Sequence, residues 1–346
     1  MESLAVRYRP QTFEEVTAQE SIIKILKRQL ELGQFKNTYL FCGASGCGKT
    51  TMGRIFAHEI NKYVDKDGNI CSSEPIEIDG ASNNGVDNVK QIIKAANERS
   101  LDGKYKIYII DECHSLTNQA WQAFLKCIEE PPQYTIFIFC TTDPQKIPPT
   151  ILNRVMRFNF NRISSSKIKE RLLYISNQEQ YTNFEDACDY ISRICNGQMR
   201  DGVALLEKCA SYDTNLNINN VLNALGNYSY DIYFKLINYI IDGRTDECLR
   251  TISNAYNEGV DLKVFIEQFL TFCLDVSKYI LTKSYEITKI PSNMINDLNN
   301  AINFQDPIKY YSYIVDKLLE LKNMLKNDSE PRNTIEVMFM NMCRLG

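Results

Sequence analysis

The chain has 346 residues, of which 44% are hydrophobic, and its formal net charge at pH 7 is −4. This length predicts about two or three domains with cores of their own, and the absence of any apolar run of about 18 residues argues against a membrane span. The small net charge also predicts that any bound nucleic acid is held by a local basic patch rather than by overall charge.

Two further features concern location and metal chemistry. The first ten residues contain no apolar segment of the kind that directs secretion, so we expect an intracellular protein. The 12 cysteines never form a CxxC pair, and this spacing predicts scattered free thiols and no zinc site.

Residues 1–36 predict an N-terminal arm followed by an amphipathic helix. Apolar side chains recur there at helical spacing, namely Ile22, Ile23, Ile25, Leu26 and Leu30.

The segment 43–51 fits the phosphate-loop pattern GxxxxGK[ST] and follows the apolar run 39–42. The pattern predicts a strand, a loop and a helix, in which backbone N–H groups and the helix N-terminus bind the phosphates of a nucleoside triphosphate. Lys49 is expected to reach the β- and γ-phosphates, and the Thr50 hydroxyl to bind Mg²⁺. The loop residues predicted to contact the nucleotide are Gly43, Ala44, Ser45, Gly46, Cys47, Gly48, Lys49, Thr50 and Thr51.

The largely apolar run 105–110 ends on two carboxylates, Asp111 and Glu112, which is typical of a buried parallel strand that ends at a ligand. Asp111 is expected to belong to the Mg²⁺ shell, and Glu112 to orient or deprotonate the attacking water. The alternative interpretation is two solvated acids at a strand end.

The next strand is predicted over 134–140, after a helix that Thr117 caps and that ends at Pro131. It leads into Thr141 and Thr142. Either hydroxyl could sense the γ-phosphate or position water, or both could be ordinary threonines at a strand end.

Strands and helices alternate as far as residue 160, which predicts a mostly parallel, doubly wound α/β sheet. From residue 164 onward the apolar spacing is helical. We therefore expect an α/β nucleotide-binding core at 1–163, a small helical domain at 164–226 and an all-α domain at 227–346.

Five segments occur in one order: GASGCGKTT, EIDGASNNGVD, DECHSLTNQAWQAFLKCIEEPP, TTDPQKIPPTILNR and GQMRD. Together they resemble the clamp-loader ATPases of bacterial DNA polymerase III, the gamma/tau subunits, within the AAA+ superfamily. The resemblance implies an AAA+ core, a helical lid and an oligomerising collar. It also implies Mg²⁺-dependent ATP hydrolysis, stimulated by DNA and by a sliding clamp that is opened and loaded on primer-template DNA during replication.

The same resemblance implies the partners of the protein and its location in the cell. The subunit would act with other clamp-loader subunits in a pentameric ring, away from membranes, in the cytoplasm of a bacterial cell or of a virus-infected bacterial cell.

The resemblance also assigns residues to the nucleotide. Tyr8, Arg9 and Val16 match the arm that covers the adenine, although Ala18 stands where the family usually has glycine. Arg200 matches the lid arginine that contacts the nucleotide in cis.

Two further residues match family positions for hydrolysis. Thr142 matches the sensor position, with Thr141 as the less favoured choice. Arg154 matches the arginine that acts in trans at the neighbouring subunit's ATP. Its flanks, Asn153 and Val155, differ from the family's Ser-Arg-Cys motif, and a structural salt bridge is the alternative role.

For DNA, the family follows the phosphate backbone without reading bases. The candidate contacts are Asn83, Asn84, Lys90, Lys94 and Lys126, and the alternative for each lysine is a solvated surface charge. We also expect Glu112 to be held unproductive until DNA engages the helix over 121–130.

Two departures from the family accompany these matches. Cys71 is the only cysteine where the cellular family inserts a four-cysteine zinc module, so no zinc is expected. The chain also extends only as far as the expected collar, which is the extent of a gamma subunit.

Two rival functions remain open. One is a clamp-loader scaffold that does not hydrolyse ATP, and the other is an AAA+ DNA motor of the branch-migration type.

Overall fold

The computed structural model describes residues 2–64, 70–98, 103–226, 230–284, 287–291 and 294–344. The chain divides into two compact units, and each consists of two segments. The first unit contains Met1–Arg171 and Cys195–Ala204, and the second contains Leu172–Ile194 and Leu205–Gly346. The three-domain division at residues 163 and 226 stays a prediction.

The first unit contains the named strands and the helices that flank them. Its strands are β1 (Thr38–Gly43), β2 (Tyr63–Val64), β3 (Ile70–Cys71), β4 (Ile76–Asp79), β5 (Lys106–Asp111), β6 (Thr135–Thr141) and β7 (Met156–Phe160). Its helices are α1 (Leu4–Arg7), α2 (Glu20–Leu32), α3 (Lys49–Ile60), α4 (Val86–Ala96), α5 (Asn118–Glu129) and α6 (Pro149–Leu152). Two more helices, α7 (Ser165–Gln178) and α9 (Met199–Tyr212), begin in this unit.

The central sheet has the strand order β4-β5-β6-β1-β7, and every pair in it is parallel. From β1 the chain crosses to the far edge at β4, returns through β5 to β6, and then passes over β1 to β7. The strand order therefore reverses beside β1, and ligands of such sheets bind at the carboxyl ends of the strands at that point. The predicted parallel α/β sheet is confirmed.

Alternating side chains of the strands build two separate cores. On β5, Ile107 and Ile109 belong to the core that also contains Phe56 of α3, while Tyr108 and Ile110 face the other core. This alternation is the ordinary period of two in a strand, and it explains why a strand buried on both faces reads as one continuous apolar run. The sheet is thus enclosed between helices on both sides.

The start of α5 follows the sequence prediction. The Thr117 hydroxyl accepts a hydrogen bond from the Ala120 amide at 3.2 Å, and Thr117 has an extended backbone. The predicted cap is confirmed, and it fixes where α5 begins after the end of β5.

The described residues of the second unit form helices and their connections, apart from one isolated parallel β-bridge between Thr182 and Asn215. This unit contains α8 (Glu185–Ile194), α10 (Ile218–Leu225), α11 (Tyr230–Ile241), α12 (Thr245–Asn257), α13 (Leu262–Thr282), α14 (Ile295–Ala301), α15 (Pro307–Met324) and α16 (Pro331–Cys343). Its core includes the fully buried rings of Phe269, Tyr311 and Phe339. Among the described helices of the chain, none is both long enough and apolar enough to cross a membrane.

Candidate nucleotide-binding site

The phosphate loop joins β1 to α3 and depends on glycine at its first position. Gly43 has a φ of +156°, and a Cβ atom there would lie 2.5 Å from the Phe160 carbonyl oxygen of β7. Gly46 and Gly48 have φ angles of +66° and +98°, which also favour glycine. The loop therefore turns tightly at the carboxyl end of β1, where the strand order reverses.

Lys49 is the first residue of α3, and its side chain lies within the loop. The residue is only 6% exposed, and its ammonium group donates to the carbonyl oxygens of Gly43 and Ala44, both at 2.9 Å. A buried cation that is held only by neutral carbonyls favours an anionic partner. The geometry suits the phosphate contact that the sequence predicts.

Thr50 and Asp111 meet across the two neighbouring elements. The Thr50 hydroxyl donates to Asp111 Oδ2 at 2.7 Å, and Asp111 Oδ1 accepts from the Glu112 amide at 2.9 Å. A hydroxyl and a carboxylate are hard oxygen donors, which Mg²⁺ prefers together with water and phosphate oxygens. These two residues fit a Mg²⁺ ion, and each would supply one ligand.

Glu112 lies at the turn after β5 and is held by its neighbours. Its backbone is left-handed, with φ +45° and ψ +40°. Its Oε2 atom accepts from the Thr142 hydroxyl at 3.0 Å and lies 3.2 Å from His114 Nδ1. The structure thus brings Thr142 to Glu112. Thr141, by contrast, is fully buried, and its hydroxyl lies 3.3 Å from His114 Nδ1.

His114 is a member of this cluster that the sequence analysis did not assign. It belongs to the 3-10 turn Cys113–Ser115, which begins directly after Glu112. The spacing DECH contains no signal for this contact, because a residue two positions after the acid folds back onto it only where the intervening backbone turns sharply, and the local pattern does not specify that turn.

The predicted adenine arm lines the same cleft as the phosphate loop. Tyr8, Arg9 and Val16 are lining residues, together with Glu112 and Arg200. Burial and then the nearby Arg54 guanidinium lower the pKa of Arg9, with Arg200 acting in the same direction. An anionic ligand would relieve this repulsion between cations.

Arg200 lies in the first turn of α9, which packs on the phosphate loop. The Met199 amide donates to the Gly46 carbonyl oxygen at 3.0 Å, and a Cβ atom on Gly46 would lie 3.3 Å from Arg200 Cβ. The predicted lid arginine is therefore placed at the cleft by backbone contact.

Gln19 was missed by the sequence analysis and links the loop to β7. Its amide nitrogen donates to the Asn161 carbonyl oxygen at 2.8 Å and to the Cys47 carbonyl oxygen at 3.4 Å. Its amide oxygen accepts from the Asn161 amide at 3.2 Å, and its backbone φ is +73°. The residue follows Ala18, the position where the family usually has glycine. Nothing in the local spacing marks it.

Arg154 does not line the cleft. Its guanidinium donates to the Thr150 carbonyl oxygen at 2.7 Å and forms an ion pair with Glu129 at 2.8 Å. The side chain is 40% exposed, so the ion pair is a surface contact of modest strength. Its role in trans stays a prediction.

The DNA candidates lie on and before α4 and on α5. Lys90, Lys94 and Lys126 are exposed, and Lys90 is 3.6 Å from the exposed Asp87 carboxylate. Asn83 and Asn84 precede α4, and the side chain of Asn83 donates to the Asp79 carbonyl oxygen at 3.0 Å. Their exposure is compatible with contact to a DNA backbone, and these contacts stay a prediction.

Among the described residues, no three His, Cys, Asp or Glu side chains lie close enough to hold a metal ion. The expected absence of zinc stays a prediction.

The parallel sheet and the loop define the class of protein, which is an AAA+ P-loop nucleotide-binding fold. A solved structure of the Thermotoga maritima RuvB Holliday junction branch migration motor superimposes with a TM-score of 0.52 at 18% identity, covering 73% of this chain and 86% of that one. A variant of the same motor superimposes with a TM-score of 0.53 over the same shares. At this identity the likeness shows the fold alone.

Comparisons of sequence give the family. Residues 18–164 match the family model described as "DNA polymerase III, delta subunit", and residues 216–345 match "DNA polymerase III subunits gamma and tau domain III". The DNA polymerase III subunit gamma of Buchnera aphidicola subsp. Baizongia pistaciae is 31% identical over an alignment of 334 positions, which covers 92% of this chain and 86% of that protein. The chain belongs to the DNA polymerase III gamma/tau subunit family.

Longer relatives match over part of their length. The DNA polymerase III subunit tau of Bacillus subtilis is 33% identical over an alignment of 353 positions, which covers 97% of this chain and 62% of that protein. The gamma/tau subunit of Mycoplasma genitalium is 30% identical, with 92% of this chain and 55% of that protein covered. The chain thus spans a little over half the length of these two relatives.

Proposed function

We propose that the chain is an ATP-hydrolysing motor subunit of a DNA polymerase clamp loader, which opens a sliding clamp and loads it on primer-template DNA during replication. The observation that carries this proposal is the convergence of Lys49, Thr50, Asp111 and Glu112 at the carboxyl ends of β1 and β5. A scaffold that does not hydrolyse ATP has no need for all four groups.

The binding step follows from the loop. The ammonium group of Lys49 exchanges the Gly43 and Ala44 carbonyl oxygens, each 2.9 Å away, for phosphate oxygens. Thr50 and Asp111 would hold Mg²⁺ in place of their mutual hydrogen bond of 2.7 Å. The ion would supply charge neutralisation for the phosphate groups. Tyr8, Arg9 and Val16 enclose the adenine side of the cleft.

The chemical step needs Glu112 to be released. Its Oε2 atom accepts from Thr142 at 3.0 Å and lies 3.2 Å from His114, so the carboxylate that would take a proton from water is engaged elsewhere. Activation requires a change at this turn that frees the carboxylate.

Two backbone hydrogen bonds and the segment 112–117 between them connect the DNA candidates to that turn. The Thr117 amide, at the cap of α5, donates to the Asn84 carbonyl oxygen at 3.2 Å. The Ser115 amide donates to the Glu112 carbonyl oxygen at 3.0 Å. We infer that DNA contact at Asn84 and α5 is transmitted to Glu112 through the segment 112–117.

The proposed assembly is a pentameric ring with other clamp-loader subunits, in the cytoplasm of a bacterial cell or a virus-infected bacterial cell. In it, Arg154 leaves Glu129 and approaches the γ-phosphate bound by the neighbouring subunit.

The first test is steady-state ATP hydrolysis by the purified chain and by Glu112→Gln, with and without primed DNA and the candidate clamp. We expect slow turnover that rises with DNA and clamp and that falls by about 100-fold or more in Glu112→Gln. The absence of turnover under every condition would favour the scaffold. Stimulation by DNA alone, with strand displacement, would favour the branch-migration motor.

A mixing experiment tests the role of Arg154 in trans. Arg154→Ala and Glu112→Gln should each be inactive alone, and their mixture should regain part of the activity if the chains share sites within one ring. Arg157→Ala is the matched control, because Arg157 is an exposed arginine nearby on β7. If the mixture hydrolyses ATP no faster than the sum of the two variants measured separately, the chains do not share sites.

A further inference from the structure

Two buried cysteines of the second unit lie side by side. The sulfur atoms of Cys248 and Cys343 are 3.6 Å apart and share a hydrogen bond. Cys248 belongs to α12 and is 0% exposed, and Cys343 is the last residue of α16 and is 4% exposed. The two helices pack against each other.

We propose that Cys248 and Cys343 form a reversible disulfide when the protein meets a peroxide, and that this bond joins the last helix of the second unit to α12. The proposal does not depend on the clamp-loader function.

The geometry favours this pair for three reasons. A disulfide has a sulfur–sulfur distance of about 2.05 Å, so the two atoms need to approach by about 1.5 Å, which small side-chain rotations supply. The shared hydrogen bond shows that the two side chains already point at each other. Cys343 also ends its helix, and the last turn of a helix opens locally more easily than its middle.

The electrostatics of the pair assign the attacking sulfur. The hydrogen bond with Cys248 lowers the pKa of Cys343, whereas the same hydrogen bond and burial raise the pKa of Cys248. Of the two thiols, Cys343 therefore ionises more readily, and the thiolate is the form that reacts with oxidants.

The bond forms in two balanced steps. The Cys343 thiolate attacks one peroxide oxygen, the oxygen–oxygen bond breaks, and a sulfenic acid and hydroxide result. The Cys248 thiol then attacks the sulfenic sulfur, the sulfur–sulfur bond forms, and the leaving hydroxide together with the thiol proton gives water. Overall, two thiols lose two electrons to the peroxide, and a dithiol reductant reverses the change.

The consequence is a constraint on the second unit. The two residues are 95 positions apart in the chain, so the bond closes a long loop and restricts the unfolded chain. The oxidised second unit should resist denaturation more than the reduced one.

The test uses the full chain in a Cys71→Ser background, because Cys71 is the one cysteine that is not buried and would otherwise link two molecules. The folded protein is treated with hydrogen peroxide, the remaining thiols are alkylated in denaturant, and the intact mass and peptides are measured. We expect two fewer alkylated thiols, one peptide pair that contains Cys248 and Cys343, and full reversal by dithiothreitol.

Two variants sharpen the test. Cys343→Ser should lose the linked peptide pair, while Cys209→Ser, which removes another buried thiol of the second unit, should keep it. Linkage of a different pair, or peroxide treatment that leaves both sulfurs alkylated, would overturn the proposal. The peptide map of the background chain decides the matter even if Cys343→Ser folds poorly.

Urea unfolding measures the stabilisation that the disulfide should give the second unit. The urea midpoint of the second unit should rise on oxidation in the background chain and should return with dithiothreitol. An unchanged midpoint in chains that carry the linked peptide pair would contradict the constraint.

Discussion

The two units of the chain use polar residues differently. In the first unit, polar side chains gather at the carboxyl ends of parallel strands, where Lys49 is 6% exposed and is held only by carbonyl oxygens. In the second unit, the buried Asp275 has a partner for each oxygen, because Lys278 Nζ lies 2.7 Å from Oδ1 and the Lys289 amide donates to Oδ2 at 2.8 Å.

The difference separates function from structure. A buried charge with complete partners is satisfied within the fold, and removal of one partner destabilises it, whereas a buried charge held by neutral groups is available to a ligand. Substitutions in the first unit should therefore affect nucleotide binding first, and substitutions in the second should affect stability first.

Lys49→Ala should have the largest effect of the substitutions that test this comparison. Loss of its charge-assisted bonds to phosphate should weaken ATP binding by about 100-fold or more. The measurement is titration with a fluorescent ATP analogue, and Lys94→Ala, an exposed lysine of α4, is the control. If the two variants bound ATP with equal affinity, Lys49 would not belong to the nucleotide site.

Gly43→Ala should damage the site through the backbone. The new Cβ atom would lie 2.5 Å from the Phe160 carbonyl oxygen, so the loop or β7 has to move. We expect loss of ATP binding and a fall of about 2 kcal/mol or more in the free energy of unfolding of the first unit.

The matched control is Gly85→Ala. Gly85 has a φ of −78°, and a Cβ atom there meets no atom within 4 Å. Gly85 is the N-cap of α4, where alanine is a poorer cap than glycine, so the free energy of unfolding should fall by no more than about 1 kcal/mol. If the two glycine variants lost the same free energy of unfolding, close packing of the loop on β7 would not explain why position 43 is glycine.

Asp275→Ala should act on the second unit alone. It leaves the Lys289 amide without its carboxylate partner, which should cost about 1–3 kcal/mol in the free energy of unfolding. ATP affinity should stay unchanged. Urea unfolding checks the effect against Asp316→Ala, an exposed acid of α15. A change in ATP affinity with unchanged stability would contradict the contrast between the units.

Gln19→Ala should have the smallest effect. It removes the hydrogen bonds to Cys47 and Asn161, which should lower the free energy of unfolding by about 1–2 kcal/mol and weaken ATP binding by several fold. The control is Gln178→Ala, an exposed glutamine near the end of α7. An effect no larger than that of the control would mean that the loop is held by its glycines alone.

Much of the first unit could be predicted because its signals are local. An apolar strand, a fixed glycine spacing and a carboxylate pair each determine a short segment, and parallel strands bring their carboxyl ends to one edge of the sheet. The parallel sheet and the cap at Thr117 followed from such signals. The contacts of Gln19 and His114 did not, because they join segments that local spacing does not relate.

The second unit offered less to predict from. Helical spacing indicated helices, but the pairing of α12 with α16 depends on contacts between residues such as Cys248 and Cys343, which are 95 positions apart. Local patterns contain no information on such pairings, since many helix pairs would bury the same apolar faces.

The sequence by itself determined the fold class, the phosphate loop and the family, because glycine spacing, strand-end acids and motif order are properties of the linear sequence. The tertiary structure alone decided that Thr142 and His114 hold Glu112, that Gln19 links the loop to β7, and that two distant thiols meet. Those contacts arise from packing, which selects one arrangement among many that the local patterns allow.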